Sequence, residues 1–284
     1  MTYVIITGAY NEERYIECTI QSVLKQTCLP VEWIFVNDNS TDNTESIICQ
    51  FVKKYPWIKL INKRFSSNEF GPHAVHNFNY GIENLSSSAY NFIIKLDADL
   101  SIDRVDYFEF QLKEFSKNAK LGISSGITYY YLNNKKVLAY HPWWQTTGAL
   151  KMYRKECLAD IGGLSPILGW DGLDTYKAMY RGWETRTFYE LQVNHLGKGK
   201  DIKRKDNNNF YYEQGISYSR RGYSLAFIIL KLFKYLIRND REKAISFFLG
   251  FWNARKCSKY VTKNEQRFIR NFQIKRVFLK KRYE

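Results

Sequence analysis

Short apolar runs alternate with amphipathic segments over the first hundred residues of this 284-residue chain. The apolar runs predict buried strands at residues 3–9, 32–37, 58–62 and 90–96. Apolar side chains at helical spacing predict intervening helices at residues 14–26, 44–55 and 74–84. Strands and helices that alternate in this way are typical of βαβ units. We therefore expect an α/β fold with a mostly parallel central sheet flanked by helices.

The pattern becomes less regular after residue 100. It predicts a helix at 103–117, strands at 121–125 and 127–132, a turn at 133–136, helices near 154–161 and from 171, and a strand that ends at His195. Beyond residue 199 the composition becomes basic, and the segments that follow have the long apolar faces of helices. We place a boundary near residue 200, between a sheet domain (1–199) and a helical C-terminal region (200–284).

Polar clusters follow three of the predicted strands, at the point where each strand ends. These clusters are Ala9-Tyr10-Asn11, Asn37-Asp38-Asn39 and Asp97-Ala98-Asp99. Ligands of open parallel sheets bind outside the carboxyl ends of the strands. The sequence therefore predicts that the three clusters converge on one site.

Asp97 and Asp99 are the candidate metal ligands of that site. Two carboxylates one residue apart can share a divalent cation with the phosphates of a substrate, because Mg2+ and Mn2+ prefer oxygen ligands. The same triplet is also common in solvated loops. His195 ends a predicted strand, and its imidazole is interpreted either as structural or as a further ligand of the ion held by Asp99.

Asp38 and Asp171 are the other candidate aspartates, and each lies close to the start of a predicted helix. Ser40 or Asp42 can cap the helix that starts near residue 44, which leaves Asp38 to accept a base N–H from a ligand. Asp171 is interpreted either as a helix cap or as a general base that takes a proton from an attacking hydroxyl. Candidate acceptor-side residues, each with a structural alternative, are Trp143, Trp144, Trp170 and Asp174.

The charge is concentrated at the C-terminal end. The formal net charge is +15, yet residues 1–197 contain 20 Lys and Arg against 21 Asp and Glu, whereas residues 198–284 contain 23 against 7. Such asymmetry predicts an acidic partner, either nucleic acid or anionic lipid. Residues 225–237 and 245–252 are strongly apolar and carry or precede basic residues. These segments predict that residues 222–284 form helices. We expect the helices to lie on an anionic membrane, to pack on the sheet domain, or to do both.

The remaining composition indicates an intracellular protein. The five cysteines are scattered and form no CxxC pair, which is typical of reduced thiols. We find no signal-peptide pattern and no apolar stretch of the roughly 18–20 residues needed to span a bilayer. The expected location is cytoplasmic, peripheral on the inner face of the plasma membrane.

The chain resembles family-2 glycosyltransferases with the GT-A fold. The resemblance covers residues 3 to about 197 and rests on these segments, in the family's order: Ala9-Tyr10-Asn11-Glu12-Glu13, residues 36–44, Asn79-Tyr80-Gly81, Asp97-Ala98-Asp99, residues 148–154 and 161–164, and Gly169-Trp170-Asp171. Members usually carry two adjacent acidic residues at the last segment, where this chain has Trp170 before Asp171. No Gln-x-x-Arg-Trp element follows, which argues against a processive polysaccharide synthase.

The resemblance implies transfer of one sugar from a nucleotide sugar, expected to be UDP-linked, to an acceptor hydroxyl with inversion, assisted by Mn2+ or Mg2+. It implies that Asp38 holds the nucleobase, Asp97 the ribose or metal waters, and Asp99 the metal, with Asp171 as the base. The implied donor-binding set is Ala9, Tyr10, Asn11, Glu12, Asp38, Asn79 and Asp97. The implied acceptor is a glycan or a lipid-linked molecule of cell-envelope polysaccharide or glycolipid synthesis.

Two alternatives remain open. A sugar nucleotidyltransferase also uses carboxylate-bound metal, but no glycine-rich loop with Arg or Lys follows the first strand. A non-enzymatic nucleic-acid-binding protein could use the basic C-terminal region. The apolar runs there are unlike a solvated nucleic-acid arm, so we expect no nucleic acid partner.

Overall fold

The computed structural model describes residues 1–63, 73–197 and 208–278. Its strands are β1 (Tyr3–Ala9), β2 (Glu32–Asn37), β3 (Ile58–Asn62), β4 (Phe92–Leu96), β5 (Leu100–Ser101), β6 (Leu121–Leu132), β7 (Lys135–Leu138), β8 (Leu150–Arg154) and β9 (Glu184–His195). Its α-helices are α1 (Ile16–Leu24), α2 (Thr44–Lys54), α3 (His73–Glu83), α4 (Tyr107–Lys117), α5 (Lys155–Asp160), α6 (Trp170–Tyr180), α7 (Asn208–Arg220), α8 (Leu225–Ile237), α9 (Arg241–Asn253) and α10 (Lys263–Phe278).

The strands form one sheet in the order β3-β2-β1-β4-β8-β6-β9-β5, with β7 paired to β6. The first four strands of that order run parallel, and β6 and β9 are also parallel. β8 is antiparallel to both of its neighbours. The predicted α/β fold, with a mostly parallel central sheet and a helical C-terminal region, is confirmed.

Side chains of the central strands alternate between two cores, because successive residues of a strand point to opposite faces. On one face Ile5 and Phe35 pack in the core formed with helices α1, α2 and α4. On the other face Val4 and Ile34 pack with α3, α5 and α6. The sheet is therefore covered by helices on both sides, as expected from its nearly continuous apolar strands.

The strands β5, β7 and β8 were not predicted. β8 contains Lys151 and Arg154 among its five residues, so it lacks the apolar pattern of a central strand. Residues 121–132 form one strand instead of the predicted two, with a register shift at Gly126. The predicted turn at 133–136 is shorter: Asn133 and Asn134 have φ of 49° and 60°, as in a two-residue hairpin, and β7 begins directly afterwards.

The C-terminal helices pack against the sheet domain. Trp144 and Tyr176 from that domain share a buried cluster with Ile228 of α8, Phe247 of α9 and Ile269 of α10. The predicted boundary near residue 200 lies outside the described residues. Within the described ranges, no helix is both long and apolar enough to cross a membrane.

Helices α7 and α9 touch through their backbones. A Cβ atom at Gly250 would lie 1.9 Å from the main-chain oxygen of Tyr212, and one at Gly215 would lie 2.0 Å from that of Phe247. Neither position has room for a side chain, so the two glycines set the distance between these helices.

We expect Gly250→Ala to lower the free energy of unfolding by about 1–3 kcal/mol, because the added methyl group must push the two backbones apart. Gly172→Ala is the matched control: Gly172 is also helical, but its Cβ would meet only Arg221 Nη1, at 3.5 Å. That change should stabilise the protein by up to about 1 kcal/mol. Urea denaturation measures both, and equal effects would contradict the close helix contact.

Candidate active site

A cleft of about 600 Å³ lies where β1, β2 and β4 end. Eight of the predicted site residues line it: Ala9, Tyr10, Asn11, Glu12, Asp38, Asp97, Asp99 and His195. Further lining residues are Gly8, His73, Ala74, Asn77, Ala98 and Gly197. The three polar clusters of the sequence thus converge on one surface, as parallel strand ends do.

The segments that follow β1 and β2 are tied together by hydrogen bonds. Thr41 N donates to Asn11 Oδ1 at 2.8 Å, and Asn11 N donates to Ser40 Oγ at 3.1 Å. Glu12 N donates to Thr44 Oγ1 at 2.8 Å, at the start of α2. Asn11 has a φ of 54°, a backbone conformation that asparagine tolerates better than most residues. This bonding holds the rim of the cleft in place.

Asp38 lies inside the cleft and is 5% exposed. Its Oδ2 atom meets His73 Nδ1 at 2.8 Å and accepts a hydrogen bond from Asn77 Nδ2 at 3.2 Å. Asn77 Oδ1 is buried and has no hydrogen-bond partner among the described residues. A buried acceptor without a partner is costly unless a ligand donor reaches it. The side-chain oxygens of Asp38 and Asn77 are therefore suited to accept hydrogen bonds from an N–H group of a ligand.

Asn77 and His73 were missed by the sequence analysis, which selected Asn79. Asn79 does not line the cleft; its Nδ2 donates to Leu164 O at 3.1 Å. His73 and Asn77 are four residues apart on α3 and share one face, whereas Asn79 lies on another. Because residues four positions apart lie on one face of a helix, identifying either residue would have indicated the other.

Asp97, Asp99 and His195 form the candidate metal site. One ligand atom from each lies within 4.8 Å of the others. The distance from His195 Nε2 to Asp99 Oδ2 is 3.2 Å. The pairing of β5 with β9 places Leu100 opposite His195, which brings together residues almost a hundred positions apart. Two carboxylates and an imidazole suit a hard or borderline cation such as Mg2+ or Mn2+.

Lys95 and Gly197 complete the surroundings of this group. Lys95 Nζ donates to Asp97 Oδ1 and, at 3.0 Å, to Gly148 O. Burial raises the pKa of Asp97, while the Lys95 ammonium opposes this effect. A Cβ atom at Gly197 would lie 2.1 Å from Asp99 Oδ2, so only glycine leaves the carboxylate where it is.

Asp171 does not line the cleft but stands near it. A Cβ atom at Gly148 would lie 3.2 Å from Asp171 Oδ2, and Gly148 O accepts the hydrogen bond from Lys95. Asp171 is thereby connected to Asp97 through Gly148 and Lys95. It does not cap α6: the residue before that helix is Gly169, with a φ of 78°, and no side chain makes a capping bond.

The structure does not bring three of the four acceptor-side candidates to an accessible surface. Asp174 is 3% exposed, Trp144 3% and Trp170 9%, whereas Trp143 is 38% exposed. Asp174 is bound by Lys151 Nζ at 2.9 Å and by the Tyr153 hydroxyl at 2.6 Å. Trp144 packs against the C-terminal helices. The side chains of Asp174, Trp144 and Trp170 are therefore part of the core. Their residue types alone do not reveal this burial.

Comparison with known proteins places these features in a family. The model of the family "Glycosyl transferase family 2" matches residues 4–166. The poly-beta-1,6-N-acetyl-D-glucosamine synthase of Staphylococcus epidermidis is 33% identical over 121 residues, which cover 43% of this chain and 27% of that protein. The chain thus matches about a quarter of this relative's length.

Two solved structures share the fold. The mannosyltransferase PcManGT from Pyrobaculum calidifontis, in complex with GDP-Man and Mn2+, has a TM-score of 0.59 at 14% identity, covering 97% of this chain and 80% of that one. S. aureus TarS in complex with UDP-GlcNAc has a TM-score of 0.55 at 19% identity, covering 77% of this chain and 66% of that one. The overall arrangement of sheet and helices is therefore shared.

Replacing Asp174 should test its structural role. We expect Asp174→Asn to lower the free energy of unfolding by about 3–5 kcal/mol, because the Lys151 ammonium is left buried without a counter-charge. The double variant Lys151→Met/Asp174→Leu should recover most of this loss. Glu114→Gln, at the largely exposed Lys117 pair, is the control and should leave the urea midpoint unchanged. A similar midpoint for Asp174→Asn and the wild type would show that Asp174 is not needed in the core.

Proposed function

The chain belongs to glycosyl transferase family 2, and on this basis we propose that it transfers one sugar from a nucleotide sugar to an acceptor hydroxyl, with inversion. The observation that carries the proposal is the cleft. It combines an N–H-accepting pair, Asp38 and Asn77, with the Asp97, Asp99 and His195 group. A nucleotide sugar needs both kinds of contact, one for its base and one for its diphosphate.

The donor is a UDP-linked sugar. The imide N–H of uracil is a donor, which suits the buried Asn77 Oδ1 and the Asp38 carboxylate. The fold shared with TarS, which binds UDP-GlcNAc, agrees with this assignment. Tyr10 is 58% exposed at the rim of the same cleft and can stack on the base or the ribose.

Asp97, Asp99 and His195 would hold a divalent cation, Mn2+ or Mg2+. Once bound, such a cation stabilises the growing charge on the departing diphosphate. Lys95 holds the Asp97 carboxylate in position from within the sheet. Gly197 keeps the space beside Asp99 Oδ2 open.

Asp171 is the general base of the reaction. Its carboxylate takes the proton of the acceptor hydroxyl while the hydroxyl oxygen attacks the anomeric carbon from the face opposite the diphosphate. The bond from that carbon to the diphosphate oxygen breaks, and its electron pair leaves with the nucleoside diphosphate. One displacement inverts the anomeric configuration. Gly148, without a side chain, lets the acceptor and Asp171 approach the donor cleft.

The acceptor is a cell-envelope glycan or lipid-linked molecule at the inner face of the plasma membrane. Support comes from the C-terminal helices: residues 208–278 contain 15 Lys and Arg against 4 Asp and Glu. Such a surface is attracted to anionic lipid. The family relative named as a poly-N-acetylglucosamine synthase also builds a glycan.

Turnover of UDP-sugars tests the assignment. With Mn2+ present, the wild type should hydrolyse or transfer from one UDP-sugar of a panel, and Asp99→Ala and Asp171→Asn should each lower kcat by roughly 10²–10⁴-fold. Asp160→Asn, an exposed carboxylate bonded to Trp183, is the control and should keep the wild-type rate. UDP release assays measure all four proteins. Wild-type rates in both site variants would refute the proposed roles.

Gly197→Ala tests the metal site without removing a ligand. The new methyl group must displace Asp99 Oδ2, so we expect Mn2+ affinity to fall by roughly 10–100-fold. Electron paramagnetic resonance of free Mn2+ measures the binding, and Gly172→Ala is the control. Unchanged affinity in Gly197→Ala would mean that Asp99 does not bind the ion.

A further inference from the structure

Helix α8 is apolar on its outer side as well as on the side that packs inward, where Ile228 is fully buried. Its Lys231 faces inward, where Nζ lies 2.9 Å from both Gln214 Oε1 and the Tyr218 hydroxyl of α7. Six of its large apolar residues face outward, with exposed fractions of 46–71%: Leu225, Ile229, Leu230, Phe233, Leu236 and Ile237. A helix in contact with water normally carries mainly polar residues on its outer side. The outer face is therefore suited to an apolar medium.

A narrow groove opens on this face, between α8 and α10. Its volume is about 290 Å³, and its lining includes Ala226, Phe227, Leu230 and Ile274. The surface of the groove is almost wholly apolar. A groove of this kind accommodates a hydrocarbon chain rather than a polar ligand.

Besides Ser224, whose hydroxyl caps α8, the polar residue of the groove is Gln273. It lines the groove and is 3% exposed, and neither its Nε2 nor its Oε1 has a hydrogen-bond partner among the described residues. A buried amide without partners is unfavourable, so its presence points to a ligand with a polar group at the end of an apolar chain. The ester region of a lipid has this chemistry.

We propose that α8 lies in the plane of an anionic bilayer, with its outer apolar residues among the lipid chains, and that the groove between α8 and α10 takes one acyl chain, whose ester meets Gln273. The inference rests on the membrane location proposed above and identifies the lipid-contacting residues. At 13 residues, α8 is about 20 Å long, too short to span a bilayer but long enough to lie along its surface.

The charge of the region favours a lipid surface over a second copy of this chain. Residues 208–278 carry 15 basic and 4 acidic side chains, so two such regions brought face to face would repel each other. An anionic bilayer offers negative charge to the basic side chains and an apolar interior to the outer residues of α8. Nucleic acid would match the charge but would leave the outward aliphatic residues in water.

Vesicle binding tests the outer face. The full chain should co-sediment with vesicles of phosphatidylglycerol and phosphatidylcholine. The triple variant Ile229→Ser/Leu230→Ser/Phe233→Ser should bind at least about tenfold more weakly, because three side chains lose their apolar contacts. The control triple Leu29→Ser/Val31→Ser/Val105→Ser removes similarly exposed residues of the sheet domain and should bind like the wild type. Circular dichroism verifies that both variants are folded.

Several results would overturn the membrane assignment. The first is equal vesicle binding by the two triple variants. The second is a wild-type dimer that the α8 substitutions dissociate without loss of vesicle binding. The third is binding to a single-stranded oligonucleotide that is tighter than binding to vesicles and is unaffected by the α8 substitutions. Asp99→Ala should keep full vesicle binding. Intact vesicle binding by a wild type that transfers no sugar would therefore contradict the proposed enzymatic function alone.

A soluble lipid tests the groove separately. Diheptanoyl phosphatidylglycerol below its micellar concentration should bind the wild type saturably in calorimetry. Ala226→Trp, which fills the groove from an exposed position, and Gln273→Leu, which removes the amide, should each weaken this binding by at least about tenfold. No saturable binding to the wild type, or binding by both variants as tight as that of the wild type, would refute the acyl-chain site.

Discussion

Two buried lysines opposite each other at the junction of β4 and β8 constrain the architecture of the site. Lys95 and Lys151 are paired in register, and both side chains are buried. Like charges directly opposite on neighbouring strands repel, so each needs its own acidic partner. Lys95 contacts Asp97, and Lys151 contacts Asp174. The ring centroid of Trp170 lies 5.3 Å from the Lys95 ammonium and 5.4 Å from that of Lys151, within the range of a cation–π contact with each.

This arrangement explains why three nearby aspartates differ in role. Asp174 neutralises a fully buried lysine and is thus part of the core. Asp97 is held by Lys95 but reaches the cleft, where it meets Asp99 and His195. Asp171 has only its main-chain oxygen bound by Lys151, at 2.6 Å, and its carboxylate lies against Gly148. A carboxylate that the lysines do not bind directly is better placed to take a proton from a substrate.

The C-terminal helices contribute to the same site from outside. Arg221, which follows α7, is buried and donates to Gly169 O at 3.2 Å, just before α6 and Asp171. The aromatic cluster around Trp144 and Tyr176 anchors these helices to the sheet domain. The region that carries the excess positive charge is therefore attached to the helix that carries Asp171, the proposed general base.

The sequence alone was sufficient for the parallel half of the fold and for the main residues of the cleft. β1, β2 and β3 have the predicted bounds. β1 and β2 are buried on both faces and therefore need a nearly continuous apolar run, whereas β3, at the edge of the sheet, is marked by Ile58, Leu60 and Ile61. Asp38, Asp97 and Asp99 could be selected since ligands bind where parallel strands end. The apolar character of α8 was also visible in the sequence, as an apolar segment interrupted by lysines.

Only the tertiary structure decided the rest. β8 could not be found because its charged residues are stabilised by partners distant in sequence, such as Asp174 for Lys151. Asn77 was distinguished from Asn79 only by the direction that each side chain takes from α3. The accessibility of tryptophans and aspartates near the acceptor side likewise depended on long-range packing. A local pattern specifies which segments are apolar, whereas the partner of a buried charge is set by the three-dimensional path of the chain.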